Sequence, residues 1–422
     1  MNILYIAHRI PYPPNKGEKI RAFHQIRHLS RSHNIHLVCL VDDSTDLPHI
    51  KALERYCASV EAVYRDKGTT LLRVLLALLT AKPLSVASFY REHLGRKIAR
   101  RLEMEEFDSI LISSAAMAEY VLYAPNIPKM IDFVDVDSEK WRLYAAHRLF
   151  PLSWIYWLEA KRLAKYEEYV ARLFDHSIFI SGEEKRIFQQ RINDRPVSVV
   201  SNGVDLDYFA LSKRELSPVV SPVLVFTGVM DYFPNIDAVQ YFCQEIFPLI
   251  CEVVPQTKFY IVGRNPTRRV KRLGHRPNVI VSGSVPDVRP YLNKATVAVA
   301  PFRIARGVQN KVLEAMATGL PVVGTSQAFQ GIEATKEDGI RVADRPQVFA
   351  QEVVALLKSA PELRHQCALQ ARHYVEDHHR WEDQGEKLEY LLREQVGAFK
   401  EYNSVSMNQE NARHLTNGFL RR

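Results

Sequence analysis

The sequence has no long apolar run and no recognisable export signal. A membrane-spanning helix needs roughly 18 uninterrupted apolar residues, and the most apolar stretch, Leu71 to Ala81, is interrupted by Arg73. The chain starts with the strand-like segment Asn2–Ala7 instead of a charged region and a long apolar core. We therefore expect a cytosolic protein.

Cysteines are few and are not arranged in pairs. The five are odd in number, widely spaced and never in a C-x-x-C pattern, so neither a disulfide framework nor a thiolate metal site is indicated. We expect buried free thiols. The five are Cys39, Cys57, Cys243, Cys251 and Cys367.

Two common ligand-binding patterns are also missing. The segment Pro11–Arg21 after the first strand is not G-x-G-x-x-G, which argues against a dinucleotide-binding oxidoreductase. The basic part of the chain is rich in leucine and is not interleaved with stacking aromatics, so we expect no nucleic-acid partner.

The length, composition and charge favour a multidomain protein with an anionic partner. At about 150 residues per domain, 422 residues predict two or three domains, and 47% apolar residues supply their cores. The net charge of +8 is concentrated, since residues 51–101 hold 11 Lys/Arg and 4 Asp/Glu. Such a region suits a membrane surface, a phosphate-bearing substrate or nucleic acid.

Short apolar runs alternate with amphipathic stretches such as Lys19–Ser30 and Ala238–Cys251. Strands that are almost entirely apolar and are separated by helices are typical of parallel sheets covered on both faces. We therefore predict two doubly wound α/β domains. Ligands then lie beyond the carboxyl ends of the strands, in a cleft between the domains. The predicted strands are Ile3–Ala7, Ile35–Val41, Ser109–Ser113, Lys129–Phe133, His176–Ile180, Val197–Val200, Pro222–Thr227, Lys258–Val262, Val279–Ser282, Val297–Ala300 and Pro321–Gly324.

The segment 301–321 has the composition of a phosphate-binding loop. It follows a strand and leads into a helix that begins near Asn310 and stops at Gly319. The positive end of such a helix attracts phosphate oxygens, and Arg303 and Lys311 flank it. Glu314, one turn further on, can accept from the vicinal hydroxyls of a ribose. The pattern fits a nucleotide diphosphate, although a solvated Glu314 and a surface Arg303 would give the same spacing.

This segment and three others resemble the family 4 glycosyltransferases of the GT-B fold. The other three are Val199–Phe209, Val225–Met230 and Ile261–Arg264. Within the family, Tyr232–Ala238 and Gly307–Ala317 resemble the exopolysaccharide branch of exosortase (PEP-CTERM) systems. The resemblance implies sugar transfer from a nucleotide-diphosphate donor, with retention of anomeric configuration, usually without a bound metal or other cofactor.

The resemblance also implies roles for particular residues. Glu314 corresponds to the ribose-binding Glu of the family's E-x7-E pattern, whereas the first Glu, which holds donor-sugar hydroxyls, falls on Arg306. Gly17 matches the family's glycine loop, although an ordinary turn or cap glycine would look the same. The implied donor-binding residues are Gly17, Gly228, Arg306, Gly307, Asn310, Lys311 and Glu314.

The chain departs from the family at two further positions. The segment Gly228–Pro234 lacks the Arg and Lys that many members place there, so we expect Arg303 and Lys311 to neutralise the diphosphate. The family's active-site His aligns near Val134, and Asp135 or Asp137 is predicted to take over part of its role. Alternatively, these two acids cap the helix that follows.

Residues 70–101 combine leucines at near-helical spacing with basic residues. A basic, leucine-rich helix can lie in an anionic bilayer interface, and the aromatic Trp154–Trp157 can anchor it, although both patterns also suit a core. We predict peripheral contact with the inner face of the cell membrane and a lipid-linked saccharide acceptor. The predicted membrane-side or acceptor-side residues are Arg73, Arg96, Lys97, Arg100 and Arg101.

The resemblance also implies a domain plan. We predict an acceptor-side domain over 1–203, a donor-binding domain over 204–375, a helix over 376–400 that crosses back, and a flexible tail over 401–422. The boundary follows the turn signal Asn202-Gly203, where the chain enters the polar, proline-bearing link Leu211–Pro222. The leading hypothesis is a retaining glycosyltransferase for exopolysaccharide assembly. The alternatives are an inactive GT-B-shaped scaffold and a nucleotide-sugar epimerase.

Overall fold

The chain forms two compact units. The computed structural model describes residues 1–124, 126–211 and 221–419. The first unit comprises Met1–Phe179, Glu184–Val200 and Gly385–Arg422, and the second comprises Ile180–Glu183 and Ser201–Gln384. Most of the predicted link, 212–220, falls outside the described residues.

The first unit contains a parallel sheet with the strand order β3-β2-β1-β4-β5-β6-β7. Its central strands are mostly apolar and largely buried because helices cover both faces. Two separate clusters of buried side chains form the core. The strands are β1 (Asn2–Ala7), β2 (Asn34–Val41), β3 (Ser59–Tyr64), β4 (Ser109–Ser113), β5 (Lys129–Val134), β6 (His176–Phe179) and β7 (Val197–Val199).

The second unit contains another parallel sheet, with the order β10-β9-β8-β11-β12-β13. The change of direction lies at β8 and β11, where the chain crosses from one half of the sheet to the other. Loops that follow these two strands therefore meet at the usual ligand-binding edge. The strands are β8 (Val223–Thr227), β9 (Lys258–Val262), β10 (Val279–Gly283), β11 (Val297–Ala300), β12 (Val322–Gly324) and β13 (Ile340–Val342).

Helices connect the strands of both sheets. In chain order they are α1 (Gly17–Leu29), α2 (Ile50–Leu53), α3 (Lys67–Leu78), α4 (Leu84–Phe89), α5 (Glu92–Met104), α6 (Asp137–Ala146), α7 (Leu152–Leu173), α8 (Gly182–Gln189), α9 (Phe233–Tyr241), α10 (Phe247–Val253), α11 (Arg268–Leu273), α12 (Arg289–Lys294), α13 (Asn310–Ala317), α14 (Pro346–Lys358), α15 (Pro361–His378) and α16 (Trp381–Phe419). Short 3₁₀ segments lie at Ser44–His49, Ala115–Tyr120, Ser326–Phe329 and Lys336–Asp338.

The predicted fold class, two parallel-sheet α/β domains, is confirmed. The predicted helix Ala238–Cys251 is wrong in its bounds, because α9 begins at Phe233 and a π-helical turn at Phe242–Ile246 separates it from α10. Strands β3 and β13 were not predicted. The stretch from 401 onward, predicted as a tail, continues α16 as far as Phe419.

No helix in the described ranges is both long enough and apolar enough to cross a bilayer.

Candidate active site

The loop between β11 and α13 places a helix N-terminus at the carboxyl edge of the second sheet. Gly307 has a φ of +62°, a left-handed conformation that glycine adopts without steric cost. Asn310 is the first residue of α13, and its Oδ1 accepts a 2.8 Å hydrogen bond from Asn202 Nδ2. Because the first backbone N–H groups of a helix have no intrahelical acceptor, this end is suited to an anion.

Lys311 projects from the first turn of α13 toward the loop that follows β8. Its Nζ donates to Asn235 Oδ1 at 2.6 Å. The same ammonium lies 5.1 Å from the ring centroid of Phe226 and 4.8 Å from that of Phe302, within cation–π range. The predicted cation and the β8 loop are therefore brought together.

Two motif glycines give this region its shape. A Cβ on Gly228 would lie 2.8 Å from Asn235 Nδ2 and 3.1 Å from Lys311 Nζ, so a side chain there would displace both groups. A Cβ on Gly263 would lie 1.7 Å from the carbonyl oxygen of Gly228. The loops after β8 and β9 can approach this closely only with glycine at position 263.

Lys311 and Glu314 form an ionisable pair on α13. Burial lowers the pKa of Lys311 to about 7, and the nearby Glu314 carboxylate partly opposes this shift. Burial likewise raises the pKa of Glu314 to about 7, with Lys311 opposing. Both groups therefore change charge near neutral pH. Desolvated ionisable groups of this kind are concentrated at functional sites.

Arg303, the second predicted cation, is held by a carboxylate of α9. Its Nε and Nη2 donate to the Asp237 oxygens at 3.0 and 2.6 Å, a bidentate pair. The guanidinium carbon lies 4.6 Å from the ring centroid of Tyr241, and the hydrogen bonds to Asp237 raise the pKa of Arg303. About half of the Arg303 side chain remains exposed.

Helix α9 thus anchors both cations, through Asn235 for Lys311 and Asp237 for Arg303. Sequence reasoning treated these two residues only as part of a branch signature and missed their contacts. The available signal was the spacing of Asn235 and Asp237, which are polar and lie at positions i and i+2 near the start of a helix. The preceding loop, Gly228–Pro234, lacks the Arg and Lys expected there. Asn235 Nδ2 also donates to the Val229 carbonyl at 2.9 Å, which fixes the amide.

The remaining predicted donor residues lie in two places. Arg306 is partly buried, and its carbonyl accepts from Gln309 Nε2 at 2.9 Å within the loop before α13. Gly17 lies in the first unit, where it is the first residue of α1 after the N-cap Lys16. No contact of either residue identifies a ligand, so their roles remain predictions.

A buried ion pair supports the carboxyl end of β5 in the first unit. Arg21 Nε and Nη2 donate to the Asp132 oxygens at 2.7 and 3.0 Å, and Gln25 Nε2 donates to the same carboxylate at 2.7 Å. Asp132 also accepts from the backbone N–H of Val134, whose φ is +68°. A left-handed β-branched residue is strained, and this strain lies at the position predicted above to correspond to an active-site His.

The two predicted acids, Asp135 and Asp137, come directly after β5 in the sequence. Helix α6 begins at Asp137, whose carboxylate pairs with Lys140, and Asp135 is partly buried in the turn before it. The backbone N–H of Val136 donates to a buried glutamate, Glu184, at 2.7 Å. The backbone N–H of Ser138 likewise donates to Glu167 at 2.9 Å.

His8 is a further candidate that sequence reasoning missed. It immediately follows β1, at the same carboxyl edge of the first sheet, and its ring packs edge-on against Phe89 at 5.5 Å. Burial lowers the pKa of His8, and the nearby carboxylates of Glu18 and Asp137 oppose this shift. A histidine next to the first strand was the available signal.

The predicted membrane-side cations differ in their surroundings. Arg73 lies on α3 with its guanidinium 5.9 Å from the Tyr90 ring centroid. The other four lie on α5, where most contact a carboxylate: Arg96 with Glu92, Lys97 with Glu61, Arg101 with Glu105, and Arg100 with the sulfur of Met104.

Residues 221–359, within the second unit, match the family described as "Glycosyl transferases group 1". This range covers about a third of the chain and includes Gly228, Arg303, Lys311 and Glu314. Sequence similarity also extends to an uncharacterised 44.6 kDa protein in the cps region of Klebsiella pneumoniae. That protein is 21% identical over 391 residues, which cover 89% of this chain and 96% of the relative.

Solved structures share the architecture of the chain. Sucrose-phosphate synthase from Thermosynechococcus elongatus superposes with a TM-score of 0.66 at 15% identity, over 94% of this chain and 100% of the other. Anabaena HepE in complex with UDP and glucose superposes with a TM-score of 0.63 at 14% identity, over 93% and 99%. The chain has the GT-B fold, and the comparisons support glycosyl transfer. The exosortase-associated branch remains a prediction.

Proposed function

We propose that this chain is a retaining glycosyltransferase that takes a sugar from a nucleotide-diphosphate donor. The observation that carries the proposal is the position of Lys311, whose ammonium lies beside the β8 loop at the start of α13. A cation and a helix N-terminus at one point form a binding site for a diphosphate. The UDP and glucose bound by the structurally similar HepE favour the same class of donor.

In the proposed mechanism the protein stabilises the leaving group. As the glycosidic bond breaks, negative charge grows on the diphosphate, and the α13 N–H groups and Lys311 stabilise that charge. Arg303, held by Asp237, adds a second positive charge. An acceptor hydroxyl attacks from the face that the diphosphate leaves, and a diphosphate oxygen takes its proton, so the reaction requires neither a metal nor another cofactor.

The proposed acceptor is a lipid-linked saccharide that is extended during exopolysaccharide assembly. The relative from a cps region supports a role in surface polysaccharide synthesis, and the concentration of positive charge in residues 51–101 suits an enzyme working at an anionic membrane. We therefore propose that the protein works at the inner face of the cell membrane.

Product analysis tests the proposed reaction against its alternatives. The purified protein is incubated with a panel of nucleotide sugars, with and without lipid-linked saccharide acceptors, and products are identified by mass spectrometry and NMR. A transferase forms a glycoside only when acceptor is present, and a retained anomeric configuration supports the mechanism. A new nucleotide sugar formed from donor alone indicates an epimerase, and no product from any donor indicates a scaffold.

The proposed ribose contact of Glu314 is tested by Glu314→Gln. Glutamine keeps one acceptor oxygen and replaces the other with an NH2 donor, so one of the two ribose hydroxyls loses its charged acceptor. Calorimetry with UDP should therefore show an affinity roughly tenfold lower, about 1.4 kcal/mol. Glu352→Gln, on α14 and away from α13, is the control. Equal affinity of Glu314→Gln and the wild type would contradict the ribose role.

A further inference from the structure

Helix α3 turns its most apolar face outward. Five leucines lie along one side of the helix, and their exposed fractions run from 52% to 86%. The sequence allowed a core role for this stripe, and the structure shows that interpretation to be wrong. We call these residues, Leu71, Leu72, Leu75, Leu76 and Leu79, the leucine face. An exposed apolar patch of this kind is typical of an interaction surface.

The charges near the leucine face are all of one sign along the chain. Residues 67–91 contain Lys67, Arg73, Lys82 and Arg91 and no Asp or Glu. Lys82 contacts Glu119 at 2.8 Å, and the Arg73 guanidinium lies 5.9 Å from the Tyr90 ring centroid. Apolar side chains bordered by cations are complementary to an anionic bilayer interface.

A second exposed apolar segment begins at the turn before α7. Leu149 and Phe150 are 89% and 81% exposed, and Trp154 and Trp157 are each about half exposed. We call residues 149–157 the aromatic segment. Residues 140–158 contain basic residues and no Asp or Glu, and two of these cations, Lys140 and Arg142, pair with Asp137 and Glu139 just before the segment. Tryptophan beside cations is favoured at the level of lipid headgroups.

Helix α7 joins the two surfaces within the first unit. Arg162 donates to the carbonyl oxygens of Ala77 and Leu78 at 2.9 and 3.2 Å, at the end of α3. Glu159 accepts from the N–H of Leu84 at 2.5 Å, at the start of α4. The part of α7 just after Trp157 therefore holds the end of α3, next to Leu79, which is the most exposed residue of the leucine face.

Helix α5 lacks these properties, although it carries four of the predicted membrane-side cations. Residues 92–106 hold four Lys/Arg and four Asp/Glu, so the segment is neutral. The α5 residues named above as ion-pair partners lie beside carboxylates of their own unit.

We propose that the leucine face and the aromatic segment together dock this protein onto an anionic lipid bilayer. The proposal rests on the proposed function only in supplying a reason for docking, access to a lipid-linked acceptor. The proposal limits the membrane-contacting surface to α3 and the start of α7, and α5 is not part of that surface.

Vesicle co-sedimentation of the full chain tests the proposal. The probe is a vesicle of phosphatidylcholine with about one third phosphatidylglycerol, compared with phosphatidylcholine alone. The double variant Leu72→Glu/Leu76→Glu and the variant Trp154→Glu should each weaken binding to the anionic vesicles roughly tenfold or more. The matched control is Leu363→Glu, which places the same charge at a leucine that is 48% exposed in the second unit; it should bind as the wild type does.

Two further measurements complete the test. Arg96→Ala/Arg100→Ala should leave vesicle binding within about twofold, since α5 lies outside the surface. Sedimentation velocity without vesicles shows whether the leucine face instead joins two copies of the chain. The proposal is overturned by vesicle binding that survives the leucine substitutions, by loss of binding in the α5 variant alone, or by a dimer that Leu72→Glu/Leu76→Glu dissociates.

The docking proposal and the proposed reaction can fail separately. UDP binding by calorimetry depends on the second unit, so a docking variant should retain the wild-type UDP affinity. Loss of vesicle binding with UDP affinity intact supports docking by the first unit. Wild-type vesicle binding in a protein that binds no nucleotide would reject only the proposed reaction.

Discussion

A single lysine supplies the charge closest to the proposed diphosphate, and its removal should show in turnover. Lys311→Ala removes one positive charge and one hydrogen-bond donor from the leaving-group site, and donors of this kind are worth about 2.7–4 kcal/mol. We expect turnover to fall by roughly two to three orders of magnitude, measured as release of nucleoside diphosphate. Lys294→Ala, an exposed lysine at the end of α12, is the control. Turnover unchanged in Lys311→Ala would remove Lys311 from the mechanism.

The shared titration range of Lys311 and Glu314 predicts a pH optimum for nucleotide binding. The pKa of Lys311 is lowered to about 7, so its charge is lost as pH rises above that value and diphosphate affinity falls. The pKa of Glu314 is raised to about 7, so its carboxylate is lost as pH falls and the ribose contact weakens. UDP affinity should be highest near neutrality and drop roughly tenfold per pH unit well outside it.

Two substitutions test whether Lys311 causes the loss of UDP affinity at high pH and Glu314 the loss at low pH. Arginine stays charged across this pH range, so the UDP affinity of Lys311→Arg should no longer fall as the pH rises above 7. Glutamine does not titrate, so the UDP affinity of Glu314→Gln should no longer fall as the pH drops below 7. The measurement is UDP calorimetry from about pH 5 to pH 9. A flat wild-type profile, or both limbs retained in both variants, would show that other groups control binding.

At the scale of elements, the close approach of two loops should be sensitive to one methyl group. Gly263→Ala places a Cβ 1.7 Å from the Gly228 carbonyl oxygen, so the β8 and β9 loops must separate. We expect a loss of about 3 kcal/mol in the free energy of unfolding, measured by urea denaturation. Gly283→Ala is the comparison, because its Cβ meets nothing within 4 Å and only its φ of +72° opposes the change; we expect about 1 kcal/mol there. Equal losses would show that the loops yield easily.

Most strands of both sheets could be predicted because each one is a contiguous apolar segment, which can be recognised from the sequence without knowledge of its neighbours. Strand β3 was missed because it contains Glu61 and is only partly buried along its length, and β13 because it has only three residues. The break between α9 and α10 was missed because a π-helical turn keeps the apolar spacing nearly continuous.

The residues of the candidate site that belong to recognisable motifs were predicted, but the contacts that hold them were not. Lys311 and Glu314 belong to one segment and were identified from it. Their partners were not, since Asn235 lies 76 residues from Lys311, and Asp237 lies 66 residues from Arg303. Such pairs depend on the strand order of the sheet, which the sequence pattern alone does not specify.

At the scale of the whole molecule, the proposed reaction depends on protein charges alone. Turnover with excess EDTA should therefore equal turnover with added Mg²⁺ or Mn²⁺, measured as nucleoside diphosphate released. The measurement uses the full chain. Activity that EDTA abolishes and Mg²⁺ restores would contradict charge stabilisation by Lys311 and Arg303.

Helix α16 has a consequence for how the chain is made. Its residues from Gly385 onward belong to the first unit. Three of its leucines, Leu388, Leu391 and Leu392, are buried in the hydrophobic core of that unit. The ribosome synthesises these leucines only after the entire second unit. At about 5–20 residues per second, the nascent first unit waits on the order of ten seconds or more for its last core residues, with part of its apolar surface still open to chaperones.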